Sequence, residues 1–492
     1  MPRRLKSMDK TKLSDHKKVG DILHTPFTGS FGQQMQLTSW SRDKLPQYIW
    51  IALILDALGR DPGLITLGQI MQDLNKQEIC IAELSKVLSL EDKKQRAWYA
   101  VINSYIPKRV LSPLSVVFSS RKYPYFFDCY CSPEIDVDEK ISTLMNVIDK
   151  NLSFHSNEST DVCFIINWFY ATSKTLSIAQ GCSMIADALS QYHKHSHDDD
   201  IMRSYRPSIR AMVQGLGFDL DTSFSHIFWD ELAQITSCRP IVFRLSQEGE
   251  HMNREFYEDM LKTLEYINAT SRDKIQSSKF TVIMGITTYA AKLYSDIINH
   301  ELCNTVSGRI IFRTITEAYI NLKYIVQKEG SQTDIYDMFQ NYGTGKYKLV
   351  MAKLREGKYV QNGNSHIDAK LLELYVNELK DENFLEISLG YFDKDSIKKK
   401  FDIVGEQELY EIYYEYDTNY THAFWGAIRE SSMLLCENPA HLYHVVPDYT
   451  FEQELININE DCIMILKKIF KYIAPFVELP DFYLAKYGES DA

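Results

Sequence analysis

"GRIIFRTITEAYINLKYIV", residues 308–326, sets apolar side chains at three- and four-residue intervals, the period of a helix that buries one face. Within it Arg309, Arg313, Glu317 and Asn321 recur at every fourth position. Residues four apart lie close together on an α-helix, so these form a polar line that drifts slowly around it. Ile310, Phe312, Ile315, Tyr319, Leu322 and Ile325 take much of the remaining circumference, so the line borders or enters the interior. Burying a cation without an acceptor is costly. Arg313 and Glu317 can answer each other at i, i+4, whereas Arg309 needs an acceptor from another helix.

A second stretch offers the complement. In "LYEIYYEYDTNYTHAFWGAIRE", residues 409–430, Tyr414, Thr418, His422 and Gly426 are again four apart. Read as one helix, it carries a phenol, a hydroxyl and an imidazole in a row. The glycine at the end permits close approach of a helix or a ligand. Two such helices packed together would enclose a polar cleft holding Arg, Glu, Tyr and His.

The rest of the chain reads as helical. Fourteen Pro and 21 Gly in 492 residues are few breakers, which favours long helices with short connections. "SRDKLPQYIWIALILDALGR" and "LITLGQIMQDLNKQ" have helical spacing, as do "EICIAELSKVLSL" and the long run "DVCFIINWFYATSKTLSIAQGCSMIADALSQYHKHS". "KFTVIMGITTYAAKLYSDIINHELCN" and "FEQELININEDCIMILKKIFKYIAPFVEL" continue the pattern. Sustained period-two alternation is missing, and "RPIVFRL" at 239–245 is the best short strand. The expected architecture is all-α. A basic flexible arm spans 1–40, an N-terminal helical domain 41–250, and a C-terminal helical domain with the polar interhelical cleft 251–492.

Composition bounds the function. Fifty-four basic against 66 acidic residues leave a net charge of −12, which argues against a whole-protein affinity for nucleic acid but not against a local basic patch. The basic start, "MPRRLKSMDKTKLSDHKKVGDIL", has no apolar core of a secretory signal, and "YIWIALIL" is too short to cross a bilayer. A soluble, cytoplasmic protein with no membrane partner is expected. The nine cysteines are odd in number, scattered, and form no C-x-x-C pair, so neither a disulfide framework nor a zinc knuckle is expected.

Other signals carry less. His193, His195 and His197 in "YHKHSHDDD" read as a polar loop ending a helix rather than a metal site. "YGTGKYK", around Gly343 and Gly345, lacks the spacing and the Ser/Thr of a phosphate loop and reads as a turn. Arg203, Arg206 and Arg210 in "RSYRPSIR" suit a phosphate backbone or the acidic residues Asp198–Asp200.

The pairing of an Arg-x-x-x-Glu helix with a later Tyr-x-x-x-Ser/Thr-x-x-x-His helix resembles a family of bacterial helical domains of unknown function. It covers about residues 260–475 through Arg313, Glu317, Tyr414, Thr418 and His422. In general layout the cleft is similar to that of the HEPN ribonucleases of toxin and antiphage systems. Their usual signature places Arg and His within one helix, whereas here Arg313 and His422 would come from two. That resemblance implies an antiphage-defence or toxin-type effector that cleaves or binds RNA without a metal or other cofactor.

The chemistry is intelligible from the residues. Metal-independent RNA cleavage needs a group that takes the 2′-hydroxyl proton and a cation facing the charged phosphorane. Histidine as a residue type can take and return a proton near neutral pH, the role read for His422. Arginine offers a fork of donors suited to phosphate, the role read for Arg313. Glu317 would hold Arg313, while Arg309, Asn321, Tyr414 and Thr418 would position substrate. The alternative is a non-enzymatic interaction or sensor protein whose polar line is a satisfied network fixing helix register. RNA or a nucleotide, a protein docked on the N-terminal helices, and a second copy of the chain are the candidate partners.

Overall fold

The computed structural model describes residues 12–25, 38–176, 183–215, 220–243, 254–356, 365–378, 380–388, 392–393 and 395–488. The chain is predominantly helical. It forms two compact units, Met1–Pro240 with Leu435–His444, and Ile241–Leu434 with Val445–Ala492. The segment 435–444 therefore belongs to the first unit, although it lies deep within the second half of the sequence. Short strands at Pro240–Ile241, Met433–Cys436 and Val445–Pro447 occur where the chain passes from one unit to the other.

In the first unit the helix α1 (Leu45–Leu58) is apolar on nearly every side, and its residues from Leu45 to Leu55 are all buried. A helix without a polar face belongs at the centre of a core. Against it pack α2 (Arg60–Lys76), α3 (Val137–Leu152), α4 (Asn157–Thr172) and α5 (Thr222–Gln234). Gly59, at φ +80°, separates α1 from α2 in a conformation that favours glycine. The Trp50 indole donates to the Ala82 carbonyl at 2.7 Å, and Trp40 donates to that of Asn151 at 2.7 Å. These bonds satisfy the ring nitrogens that burial would otherwise strand.

The second unit is built on α6 (Ser278–Asn299) and α7 (Val306–Lys328), which pack side by side. The Thr305 hydroxyl caps α7 by accepting from Gly308 N at 3.1 Å. Phe312, Ile315, Tyr319, Leu322 and Ile325 are buried as their spacing implies. Ile310 departs from that expectation and is exposed. A Cβ at Gly308 would sit 2.1 Å from the Leu302 carbonyl oxygen, so this close approach requires glycine. The unit continues with α8 (Ile335–Arg355), α9 (Ile397–Val404), a π-helical turn at Leu409–Tyr414 running into α10 (Glu415–Thr421), α11 (Trp425–Ser432) and α12 (Asn459–Ile473).

Within the stretch 1–40, Leu13–Asp15 form a helical turn, and Lys17–Val19 pair antiparallel with Ile22–His24. Residues 1–11 and 26–37 lie outside the described residues. Gly343, Gly345 and Lys346 are not in a turn but inside α8, because the flanking apolar residues keep the helical period through two tolerated glycines. The helix expected over 409–430 is broken. His422 ends α10 and Ala423 takes φ +51°, so the chain turns before α11 begins. Among the described residues no helix is long and apolar enough to cross a membrane.

Candidate functional site

Arg313, in the first half of α7, joins it to the π-helical turn and α10. Its guanidinium donates to the Tyr414 hydroxyl and, from Nε, to the Thr418 hydroxyl at 3.3 Å. It also lies over the Tyr414 ring, 4.2 Å from the centroid, a cation–π contact. Glu317, one turn along α7, approaches Arg313 at 3.7 Å and accepts from the Tyr414 hydroxyl at 3.5 Å. The Thr418 hydroxyl in turn donates to the Tyr414 carbonyl at 2.6 Å. The Arg313 side chain is 16% exposed and that of Glu317 29%, so the cluster opens partly to solvent. Burial pushes the Tyr414 hydroxyl well above its ordinary pKa and the Glu317 carboxylate adds to this, while Arg313 opposes both.

The ends of the polar line are occupied differently. Arg309 is buried, and its guanidinium donates to the Ile456 carbonyl at 2.5 Å, an acceptor on the non-helical stretch before α12 rather than on another helix, while its Nε has no partner among the described residues. Asn321 accepts from Lys400 at 3.3 Å. The Lys400 side chain is fully buried and pairs with Asp393 at 3.4 Å. Its pKa is lowered, first by burial, with the Asp393 carboxylate acting against that. Arg309 and Asn321 thus serve separate contacts on either side of Arg313.

His422 does not join the hydrogen-bonded set. Its backbone N–H donates to the Thr418 carbonyl at 3.1 Å, so it still stands one turn beyond Thr418. Its ring is exposed and stacks on Phe424, 5.5 Å between centroids. Gly426 falls on α11 and so outside the row in which the spacing had placed it.

Sequence reading passed over Asp417, the residue before Thr418. It is 2% exposed, and its Oδ1 has no hydrogen-bond partner among the described residues. Burial raises its pKa to about 7 against the pull of Arg309; Asp461 pushes it further up and Arg313 holds it down. Carboxyls perturbed in this way occur in buried structural networks as well as at functional sites. The Tyr-x-x-x-Thr pattern encloses two acidic residues, Glu415 and Asp417, and nothing in the sequence marks Asp417 as the buried one.

The second unit also holds a groove of about 1260 Å³. Lys467, Lys468 and Lys471 line it together with Tyr472, Phe476 and Tyr487. Lys468 pairs with Glu406 at 3.3 Å, and Lys467 lies 5.1 Å from the Tyr487 ring centroid. Amines interleaved with aromatic faces are the components of a single-strand nucleic-acid groove.

In the first unit Cys238, Cys436, His441 and His444, which no C-x-x-C pair announces, come together. The histidines of "YHKHSHDDD" do not form one among the described residues. His195 pairs with Asp199 at 3.1 Å and His197 with Asp161 at 3.0 Å. Arg203 faces Asp200 at 3.5 Å, while Arg206 and Arg210 donate to Asn157 and Thr160.

Residues 281–441 match a family of unknown function (DUF5677), a span that contains α7, α10 and the whole Arg313 cluster. No match is found among curated proteins or solved structures.

Proposed function

We propose that the second unit is an RNA-acting module of a bacterial antiphage-defence or toxin-type effector, with Arg313 as its phosphate ligand. The carrying observation is that Tyr414 and Thr418 hold the Arg313 guanidinium across two helices while the side chain keeps some contact with solvent. Of five guanidinium N–H groups, these two partners leave others to donate to a phosphate oxygen. The defence context rests on the likeness in layout to the HEPN ribonucleases.

In the reaction the 2′-oxygen would bond to phosphorus and the 5′-oxygen would leave, with Arg313 facing the charge that develops on the non-bridging oxygens. A base takes the 2′ proton and an acid returns one to the leaving oxygen. His422, exposed one turn beyond Thr418, is the proton carrier in this reading, and Glu317 orients Arg313. The lysine and aromatic groove supports strand binding.

The test is RNA cleavage, or growth arrest on expression, by His422→Ala and Arg313→Lys proteins. Loss of about 10²–10⁴-fold with the unfolding temperature unchanged is expected. Activity that declines in step with stability would instead favour the second reading, a non-enzymatic interaction protein. That reading is supported by the mutual satisfaction of Arg313, Glu317, Tyr414 and Thr418, with His422 standing apart.

A further inference from the structure

Four metal-ligating side chains converge within the first unit. Cys238 lies four residues beyond the last residue of α5, while Cys436, His441 and His444 lie on the returning segment 435–444. One ligand atom from each falls within 4.8 Å of all the others. Cys238 Sγ is 3.4 Å from His441 Nδ1 and 3.3 Å from His444 Nε2, and Cys436 Sγ is 3.6 Å from His441 Nδ1. Bonds of about 2.3 Å to sulfur and about 2.0–2.1 Å to nitrogen at tetrahedral angles would set sulfur and nitrogen about 3.6 Å apart. The observed separations are close to that figure.

The surroundings prepare these atoms as ligands. The Thr236 hydroxyl donates to the Leu232 carbonyl at 2.8 Å, so its oxygen is left to accept from His441 Nε2, 2.9 Å away. That fixes the proton on Nε2 and leaves the Nδ1 lone pair facing both sulfurs, the outer-sphere device by which ligating histidines are oriented. Arg239 N donates to Cys436 Sγ at 3.3 Å, so a backbone amide holds that sulfur from outside the cluster. The frame is firm as well. Cys436 N donates to the His444 carbonyl at 2.8 Å, Asn438 donates to the Ser237 carbonyl at 2.9 Å, and Ala440 is fully buried in the first unit's core.

We propose that Cys238, Cys436, His441 and His444 bind one zinc ion as a structural site that fastens segment 435–444 to the end of α5. Two thiolates and two neutral imidazoles suit zinc in softness and geometry, and their two negative charges match the ion's two positive ones. Four protein ligands close the tetrahedron, so the ion holds the fold and has no position for substrate.

The test uses the full-length chain purified without chelator. One zinc per chain is expected by elemental analysis, and cobalt(II) exchanged for zinc should give the visible absorption of a tetrahedral site with sulfur-to-cobalt charge transfer. Cys238→Ser and His444→Ala, both exposed positions, should each lower zinc content at least about tenfold. Cys303→Ser, at a buried thiol in the other unit, should leave it unchanged. Because losing the ion can cost a variant its fold, His444→Cys supplies a second arm: it should keep the metal and strengthen the charge-transfer band. Failure of the reduced protein to take up zinc or cobalt would overturn the proposal. Wild-type zinc content in Cys238→Ser, an unaltered cobalt spectrum in His444→Cys, or a Cys238–Cys436 disulfide in protein from a reducing cytosol would do the same.

Discussion

Arg313 lies 4.2 Å from the centre of the Tyr414 ring while donating to that residue's hydroxyl, so one side chain holds the guanidinium by face and by edge. A lysine can keep the charge but cannot both lie flat on the ring and reach Tyr414, Thr418 and Glu317 with separate donors. On the proposal that Arg313 receives an RNA phosphate, Arg313→Lys should therefore weaken RNA binding more than Tyr414→Phe, which keeps the ring and removes only the hydroxyl. Filter binding over a salt series measures both. Equal losses in the two proteins would show that the ring contact has no part in fixing the cation.

Asp417 sets a pH dependence with a definite sign. Its carboxyl titrates near about 3.9 in an unfolded chain. In the folded chain it titrates near about 7. Between these values the folded protein keeps a proton that the unfolded chain has released. This group's contribution to stability therefore falls as pH rises through the window, by about 4 kcal/mol at most, and stays constant above it. Asp417→Asn should flatten that part of the profile, measured as the difference between the two proteins in urea unfolding. Parallel profiles would mean that Asp417 is ionised throughout.

Gly308 admits no side chain. A methyl group there would meet the Leu302 carbonyl oxygen at 2.1 Å and Ile458 Cδ1 at 3.2 Å. Both neighbours are fixed, one by its backbone and the other by burial, so α7 must shift. Gly308→Ala should destabilise the second unit by about 3 kcal/mol, the upper end of overpacking costs, despite alanine's better helix propensity. A stability equal to or above wild type in urea unfolding would show that the start of α7 can slide.

How far these features could be read in advance depended on distance along the chain. α7 was legible because its own residues carry the period, from the Thr305 cap to the buried Ile325. The contacts of Arg313 with Tyr414 and Thr418 follow from two spacings that each helix displays by itself. The break after His422 was hidden, because Ala423 in a left-handed conformation carries no composition cue of the kind that glycine gives. The Cys/His group was hidden for a different reason. Cys238 and Cys436 fall on opposite sides of any single cut near residue 250, and only the return of segment 435–444 makes them neighbours. Cys436, His441 and His444 are spaced like ligands within nine residues, yet three donors alone do not close a tetrahedron.

That return also sets a timetable for biosynthesis. The first unit's core includes Ala440, so it cannot be completed until the ribosome has emitted roughly two hundred residues beyond Pro240, about 10–40 s at about 5–20 residues per second. Throughout that interval the nascent N-terminal helices lack a piece of their own interior, and the Cys238 thiol waits without its companions. A fragment stopped at Pro240 would be arrested in this unfinished condition, whereas adding residues 435–444 as a separate peptide supplies what is missing.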